Sequence, residues 1–343
     1  MKVTSLEQFK AEVKKAVLTG DESSEIEYQS LTFRFSERND RWEIRENDLL
    51  HCTWGPAAFC TDGAQEWYYM DRLHRTDGPA IIRSDGSIEW WYMGWCHRTD
   101  GPASIYCDGT QEWYYMGWLH KTDGPAVIKP DGTQEWWYMG YVHKTDGPAV
   151  IEPNGSEKWG FMGCEVRKNE PQRLLKEEQE FRKYQTDIYK NIMIGNKKEC
   201  ILSNSICTFG YQEKEDRWAI ECLSSIHCSW GPAVIGVDGT QEWWYMDKFH
   251  REGAPAVIRP DGSEEWWYMD CKHRIDGPAI IEADGTQEWY YFDKLHRVDG
   301  PARICPDGTQ EWYYFDKLHR INEPAVIRPD GSEEWWYMGK RIK

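Results

Sequence analysis

Ten histidines stand at fixed intervals, and they constrain the fold of this chain more than any other feature. They form two sets of five, with 23 residues between neighbours in a set and 176 residues between the sets. The histidines lie at positions 51, 74, 97, 120, 143, 227, 250, 273, 296 and 319. A fixed period of about 20 to 50 residues is typical of a repeat protein, in which each repeat is one supersecondary unit. The chain is therefore predicted to be a repeat array duplicated in tandem.

The 176-residue offset predicts two domains, residues 1–167 and 168–343, each beginning with a helix. Ser5 and Gln8 form a capping box before the first helix. The apolar stripe of the first helix consists of Leu6, Phe9, Val13, Ala16 and Val17. The stripe of the second consists of Phe181, Tyr184, Ile188 and Ile192. Because repeat arrays have open ends, these helices are predicted to cap the two sheets.

The repeat from Gly124 to Thr145 is predicted to be a β-hairpin. The segment PAVIK is a short strand, KPDGT is a turn in which Gly132 takes a positive φ, and QEWWYM is the returning strand. The following segment, GYVHKTDGPA, is predicted to be a polar connection to the next hairpin. Successive hairpins would form an antiparallel meander, so the predicted fold is a mainly β repeat protein with a short capping helix in each unit.

Strand alternation assigns the repeat positions to two faces. The nearly invariant positions are those of Ala126, Ile128, Trp136 and Tyr138 and their equivalents. These positions are predicted to form the packed face. The opposite face, with the positions of Glu135, Trp137 and Met139, varies between repeats and is predicted to be exposed and to carry the binding site. Its glutamates are interpreted as a solvated column that pairs with basic residues across the strands.

The candidate binding residues come from this variable face of both units. They are Glu89, Trp91, Met93, Trp137, Trp244, Glu265, Trp267, Met269 and Trp336, together with Arg83 and Arg259. Trp residues are favoured interface anchors, because they bury a large area at low entropic cost. The two arginines are equivalent under the 176-residue offset. This equivalence is the feature that favours a pair of related sites.

The repeat consensus E-W-[WY]-Y-M-[GD]-x-x-H-[RK]-x-D-G-P-A resembles a divergent MORN-type repeat (membrane occupation and recognition nexus). The related variant W-Y-x-N-G-x-x-H-R-x-D-G-P-A is common in phage and giant-virus proteins and in bacterial proteins classed as antitoxins. The resemblance covers residues 41–167 and 217–343, with Met in place of the family Asn in nearly every repeat. It implies a hairpin-repeat fold, and a viral counter-defence protein in the host cytoplasm or an antitoxin.

The charge of the chain restricts its partners. Lys and Arg number 41 against 58 Asp and Glu, which gives a net charge of -17. This balance disfavours direct DNA binding and an anionic membrane, and it suits solubility or a basic protein partner. The 11 cysteines include no CxxC pair and do not follow the repeat, so they are predicted to be free thiols. Since no apolar signal segment is found, a cytoplasmic protein is expected.

Motifs that would indicate catalysis or metal binding are weak in this sequence. His120 with Asp123 resembles a metal-ligand pair, but the aspartate is missing from four of the ten repeats while the histidine stays. The histidines are therefore interpreted as hydrogen-bonding residues that fix a turn, and neither a metal nor a cofactor is expected. Cys52 and Cys228 each follow a histidine without an orienting third group. The protein is accordingly not expected to be an enzyme, and no catalytic residue is assigned.

Three functions are compatible with these patterns. The first is a protein that inhibits or sequesters a partner, such as a basic nuclease or a defence protein, through its acidic aromatic face. The second is a sponge for a nucleotide-like ligand with two equivalent sites, since aromatic rings stack on nucleobases. The third is a structural scaffold that associates through its sheet faces.

Overall fold

The computed structural model describes residues 1–168, 170–198, 202–203, 207–222 and 225–343. The fold is mainly β and consists of two tandem arrays of antiparallel hairpins, which confirms the predicted fold class. The chain divides into two compact units, Met1–Gln172 and Arg173–Lys343. In the described residues, the main sheet has 15 strands in the first unit and 14 in the second. Short two-stranded hairpins accompany both main sheets.

The strands of the first main sheet are Ile26–Tyr28, Leu31–Ser36, Arg41–Glu46, Leu49–Leu50, Ala58–Cys60, Gln65–Glu66, Ile81–Ile82, Ile88–Glu89, Ser104–Ile105, Gln111–Glu112, Val127–Ile128, Gln134–Glu135, Val150–Ile151, Glu157–Phe161 and Cys164–Val166. The short hairpins pair Tyr68–Tyr69 with Arg72–Leu73, Trp91–Tyr92 with Trp95–Cys96, Tyr114–Tyr115 with Trp118–Leu119, and Trp137–Tyr138 with Tyr141–Val142.

The strands of the second main sheet are Leu202–Ser203, Cys207–Gln212, Arg217–Cys222, Ser225–Ile226, Val234–Gly236, Gln241–Glu242, Val257–Ile258, Glu264–Glu265, Ile280–Ile281, Gln287–Glu288, Arg303–Ile304, Gln310–Glu311, Val326–Ile327 and Glu333–Glu334. The short hairpins pair Trp244–Tyr245 with Lys248–Phe249, Trp267–Tyr268 with Cys271–Lys272, Tyr290–Tyr291 with Lys294–Leu295, Tyr313–Tyr314 with Lys317–Leu318, and Trp336–Tyr337 with Lys340–Arg341.

Helix α1 spans Leu6–Thr19 and packs its apolar stripe on the core at the first strands. The Ser5 side chain accepts a hydrogen bond from the Gln8 N–H at 3.2 Å, as the capping box predicts. The buried residues of the helix are Phe9, Val13 and Ala16. Gly20 ends the helix in the left-handed conformation, with a φ of 65°.

The helical segment of the second unit is broken into three pieces. Helix α2 spans Glu170–Phe181, a 3₁₀ turn spans Arg182–Tyr184, and helix α3 spans Gln185–Met193. Phe181 and Ile188 are buried in the core of this unit, as the predicted stripe requires. The helices in both units therefore cover the core at the beginning of a sheet.

Nine of the ten repeats bend at the tryptophan of the returning strand and then form the short hairpin, whereas the strand Glu157–Phe161 runs through this position without a break. The Trp90 N–H donates to the Ala103 carbonyl at 2.7 Å, whereas the Trp90 carbonyl accepts the His97 N–H at 3.0 Å. Met93 and Gly94 form the two-residue turn of the short hairpin, with φ values of 48° and 88°. Two positive φ values are typical of a type I′ turn. The prediction of a single polar connection after the tryptophan strand is therefore wrong, because that segment begins with a second hairpin.

The alanines of the predicted packed face lie in the interior of the two sheets. All ten are 0–1 % exposed. They are Ala57, Ala80, Ala103, Ala126, Ala149, Ala233, Ala256, Ala279, Ala302 and Ala325. The Ala103 N–H donates to the Glu112 carbonyl at 2.8 Å, so the residue also bonds the following strand. The prediction that this position is packed is confirmed.

Two cysteines of the second unit correct the expectation that every cysteine is a free thiol. Cys207 and Cys222 are joined by a disulfide and lie opposite each other on antiparallel strands, with their Cα atoms 4.2 Å apart. Leu31 and Glu46 occupy the equivalent pair of positions in the first unit. The bond does not follow the repeat, so sequence periodicity gave no signal for it.

Candidate functional site

A cation from the same repeat covers the tryptophan at each bend. The Arg98 guanidinium lies 3.9 Å from the centre of the Trp90 ring, donates to Asp100 at 2.7 Å and donates to the Pro102 carbonyl at 3.3 Å. This arrangement explains the sequence H-[RK]-x-D-G-P, whose basic residue stacks on the ring while its aspartate and proline hold it in place. The same stacking occurs at Trp67, Trp113, Trp136, Trp243, Trp266, Trp289, Trp312 and Trp335.

The histidines of the first unit, and His319 in the second, bond to the turns of the following hairpins, as predicted. The His74 Nδ1 accepts the N–H of Met93 at 3.3 Å, and the same bond links His97 to Met116 at 3.3 Å. Their rings alternate with the tyrosine rings of successive repeats, as between His74 and Tyr92 at 5.0 Å. Burial lowers the pKa of His74 and His97, so both rings favour the neutral form that accepts a hydrogen bond.

Met93 and Met269 do not lie on the exposed face to which alternation assigned them. Their exposures are only 2 % and 3 %. The bend at the preceding tryptophan and the left-handed turn break the simple alternation of a straight strand. Because the left-handed region is unfavourable for a residue with a Cβ, the buried side chain and the bond to His74 compensate this cost at Met93. The prediction of these two methionines as exposed binding residues is therefore wrong.

The candidate glutamates are buried within hydrogen-bonded groups. Glu89 accepts from the Trp91 indole N–H at 2.9 Å and forms an ion pair with Arg83. Glu265 in the second unit accepts from Trp267 at 2.8 Å and pairs with Arg259. Both glutamates are 7 % exposed, so the interpretation of a solvated column is wrong for them. The structure does bring the predicted arginine, glutamate and tryptophan together in one repeat.

The change between Trp and Tyr two residues after the glutamate preserves a hydrogen-bond donor. Tyr114 donates its hydroxyl to Glu112 at 3.0 Å, as Trp91 donates its indole N–H to Glu89. Burial and the nearby Glu288 carboxylate raise the pKa of the equivalent Tyr290 to about 12, which keeps that hydroxyl protonated. The alternation of Trp and Tyr, which was attributed to a binding face, therefore also supplies the hydrogen-bond donor that the glutamate needs inside the fold.

The remaining predicted tryptophans occupy three surroundings. Trp244 donates to Glu242 at 2.9 Å, and its ring lies 3.9 Å from the Phe249 ring at an interplanar angle of 35°. Trp336 donates to Glu334 at 2.9 Å. Trp137 donates to Glu135 at 3.0 Å, and its ring also lines a cavity of about 590 Å³ at the end of the first unit. Only Trp137 among the predicted residues lines this cavity.

Exposed aspartates at the hairpin turns are a functional candidate that sequence analysis missed. The turn after the first strand of nine repeats carries one, and Asn154 takes this place in the tenth. The nine are Asp62, Asp85, Asp108, Asp131, Asp238, Asp261, Asp284, Asp307 and Asp330. The Asp85 Oδ1 accepts the Ser87 N–H at 2.8 Å, and this backbone bond holds the pKa of Asp85 below its usual value. The P-D-G pattern was interpreted only as a turn signal.

Among the described residues, no three His, Cys, Asp or Glu side chains converge as a metal site would require. None of the helices in the described ranges is long and apolar enough to cross a membrane. No protein-family model matches the chain, and no curated protein is significantly similar to it.

Proposed function

We propose that this protein is a non-enzymatic binding protein that occludes a positively charged surface of a partner protein. The observation that carries the proposal is the row of exposed turn aspartates along each unit. Consecutive aspartates are separated by two strands, which corresponds to about 10 Å in an antiparallel sheet. A basic nuclease or a defence protein would offer lysines and arginines to such rows, and the protein would then act in the cytoplasm as an inhibitor or an antitoxin-like factor.

Local hydrogen bonds to backbone N–H groups orient these carboxylates. The Asp131 Oδ1 accepts the Thr133 N–H at 2.8 Å, and the Asp284 Oδ1 accepts the Thr286 N–H at 2.8 Å. These backbone bonds are the main cause of the lowered pKa of both aspartates. A carboxylate that is fixed before binding loses little conformational freedom on association. The net charge of -17 would also accelerate the encounter with a basic partner.

The aromatic face supports these rows rather than supplying their charge. Glu89 and Glu265 are already engaged by an indole N–H and an arginine. The half-buried rings of Trp91 and Trp267 can add contact area for the partner, whereas the aspartates supply its electrostatic recognition.

Capture of partners by variants tests this proposal. Asn154 shows that asparagine serves at the turn position, since its Oδ1 accepts the Ser156 N–H at 2.7 Å. A triple variant, Asp85→Asn, Asp108→Asn and Asp131→Asn, therefore removes charge while it keeps the turn bonds. Wild-type protein should retain a basic protein, identified by mass spectrometry, that the triple variant loses. Equal retention of that protein by both forms would contradict the proposal.

A further inference from the structure

The hairpin turn of the last repeat in the first unit carries an amide where the other nine turns carry a carboxylate. Asn154 stands at this position, and Asp330 occupies the equivalent position in the second unit. Asn154 is followed by Gly155, whereas the other seven asparagines of the chain all precede a residue with a side chain. The sequence around Asn154 is therefore unlike that of every other asparagine in the protein.

The peptide bond between Asn154 and Gly155 lies in open surroundings. Residues 153–158 are all exposed. A Cβ added at Gly155 would meet no atom of the described residues within 4 Å. The φ of Gly155 is 82°, a conformation that glycine adopts without strain. Neither a side chain of its own nor a neighbouring group therefore shields the Gly155 nitrogen.

The hydrogen bonds of the turn polarise the Asn154 side-chain amide. Its Oδ1 accepts the Ser156 N–H at 2.7 Å, and its Nδ2 donates to the Glu152 carboxylate at 3.3 Å. A donor at Oδ1 stabilises the negative charge that develops on this oxygen when a nucleophile attacks Cγ. The nearest nucleophile along the chain is the backbone nitrogen of Gly155.

We propose that Asn154 is a site of spontaneous deamidation. The Gly155 nitrogen gives up its proton to the solvent and attacks the Asn154 Cγ. The bond between Cγ and Nδ2 then breaks, the nitrogen leaves as ammonia, and a cyclic succinimide remains. Water opens this ring at either of its two carbonyl groups, which leaves aspartate or isoaspartate at position 154. The net reaction consumes one water molecule and releases one ammonia molecule, without oxidation or reduction.

The aspartate product is a state that the fold already contains in nine other turns. The Asp330 Oδ1 accepts the Ser332 N–H at 2.8 Å, as the Asn154 Oδ1 accepts that of Ser156 at 2.7 Å. Aspartate at position 154 would therefore keep the turn bond and add one negative charge. Isoaspartate carries the same charge, but its backbone runs through the former side chain and is longer by one carbon atom.

Contacts of Glu152 affect both the rate and the product of this reaction. The Gly155 N–H donates to the Glu152 carbonyl at 2.9 Å, and this bond must open before the nitrogen can attack. The folded protein should therefore react more slowly than a free peptide of the same sequence. After the reaction, the Glu152 carboxylate loses the Asn154 amide donor but keeps its ion pair with Lys158 at 3.3 Å.

Deamidation would give the first unit a fifth turn carboxylate, which is the number that the second unit has. The significance of this charge for binding rests on the proposed function, in which the turn aspartates recognise a basic partner. The modification itself does not rest on that function, because it is measured on the protein alone. Failure of the one is therefore distinguishable from failure of the other.

Peptide mapping by mass spectrometry tests the proposal on the full chain, aged at mildly alkaline pH. The peptide that contains Asn154 should gain the mass that corresponds to replacement of the amide NH₂ by OH. Asn322 is the internal control, since it is also exposed and has a positive φ, but Glu323 follows it. We expect the initial rate at Asn154 to be at least about 10-fold higher than at Asn322. An equal or lower rate at Asn154 would overturn the proposal.

Variants of Asn154 locate the charge change at this turn. Asn154→Asp carries the charge of the product, so the acidic form that accumulates in the aged wild type should elute with it on anion exchange. Asn154→Gln keeps the amide but moves it one carbon away from the attacking nitrogen. The amount of acidic form should then fall by at least about 10-fold. Equal accumulation in Asn154→Gln and in the wild type would place the modification elsewhere and refute the proposal.

The turn variants Asp85→Asn, Asp108→Asn and Asp131→Asn provide a second measurement, because a glycine follows each of these positions. Each new amide should also deamidate faster than Asn322. Absence of the reaction at all three positions would contradict the account of the turn as a reactive site. Partner capture with these variants therefore requires freshly purified protein.

Discussion

At the scale of one residue, Glu89 shows how the position two residues later can alternate between Trp and Tyr among the repeats and still keep the same hydrogen bond. Its carboxylate is 7 % exposed and accepts a hydrogen bond from the Trp91 indole N–H beside the Arg83 guanidinium. A buried carboxylate without donors is costly. Either Trp or Tyr meets the requirement, because each carries a donor at the end of an aromatic ring. The variation is thus compatible with a conserved internal bond.

Replacement of Trp91 tests this requirement. Trp91→Phe removes the donor and should lower the free energy of unfolding by about 1–2 kcal/mol. Trp91→Tyr is the matched control, since tyrosine donates to the glutamate in the equivalent repeat at Tyr114. Urea unfolding should show a smaller loss for Trp91→Tyr than for Trp91→Phe. An equal loss for the two variants would show that the donor contributes nothing.

At the scale of the element, the turn of the short hairpin has two forms, in which the second turn residue is either glycine or aspartate. In the glycine form, the Trp95 ring of one repeat packs over Gly117 of the next. In the aspartate form, the Asp316 carboxylate accepts the Leu295 N–H at 2.9 Å and pairs with Lys294 at 2.7 Å. Each form links a turn to the preceding repeat, by an aromatic contact at Gly117 and by a hydrogen bond and an ion pair at Asp316.

Alanine at two equivalent glycines separates ring packing from backbone strain. Gly117 and Gly94 both have a positive φ, at 81° and 88°. A Cβ would lie 2.6 Å from the Trp95 ring at Gly117, but 3.5 Å from the nearest Arg72 atom at Gly94. Gly117→Ala should therefore destabilise the protein by about 1–3 kcal/mol more than Gly94→Ala, as measured by thermal unfolding. Equal losses would indicate that the ring moves away without cost.

The histidine and tyrosine ladder is the second device at this scale, and it predicts a dependence on pH. Burial lowers the pKa of His51, His74 and His97 in the folded protein. Below the unfolded pKa of about 6.5, the unfolded chain therefore binds more protons than the folded one. The contribution of these residues to stability should fall as the pH decreases from about 6.5 toward their folded pKa values.

Histidine titration and urea unfolding check this dependence together. Ring-proton NMR should give these histidines pKa values below 6.5, and the urea midpoint should be lower at pH 5.5 than at pH 7.5. Titration at or above the value of an exposed histidine, with an unchanged midpoint, would contradict the assignment. The lowered pKa values of Asp85 and Asp131 place the titration of these two aspartates at lower pH.

Sequence periodicity predicted the elements better than the direction of their side chains. The period, the capping helices and the packed alanines all follow from spacing and alternation, which are local properties of the chain. The bend at Trp90 does not, because it depends on hydrogen bonds to Ala103 and His97 that close only in the folded array. Because of this bend, strand alternation predicted the Met93 and Met269 side chains on the wrong face. The cavity beside Trp137 was missed because its lining residues come from neighbouring hairpins that only the folded array brings together.

At the scale of the whole molecule, duplication has produced two arrays that share a scaffold and differ in detail. Both present turn aspartates on their hairpins, whereas the disulfide Cys207–Cys222 belongs to one unit and the cavity beside Trp137 to the other. The common feature supports the proposed binding of a basic partner.

The affinity of the captured partner at two ionic strengths tests the central claim most directly. Calorimetry should compare the wild type with the variant that carries asparagine at Asp85, Asp108 and Asp131, after unfolding curves confirm equal stability. The account predicts that the wild type binds at least about 10-fold more tightly at low salt, and that this difference shrinks as salt screens the charges. Equal affinity of the two forms at low salt would contradict the claim that the aspartate rows recognise the partner.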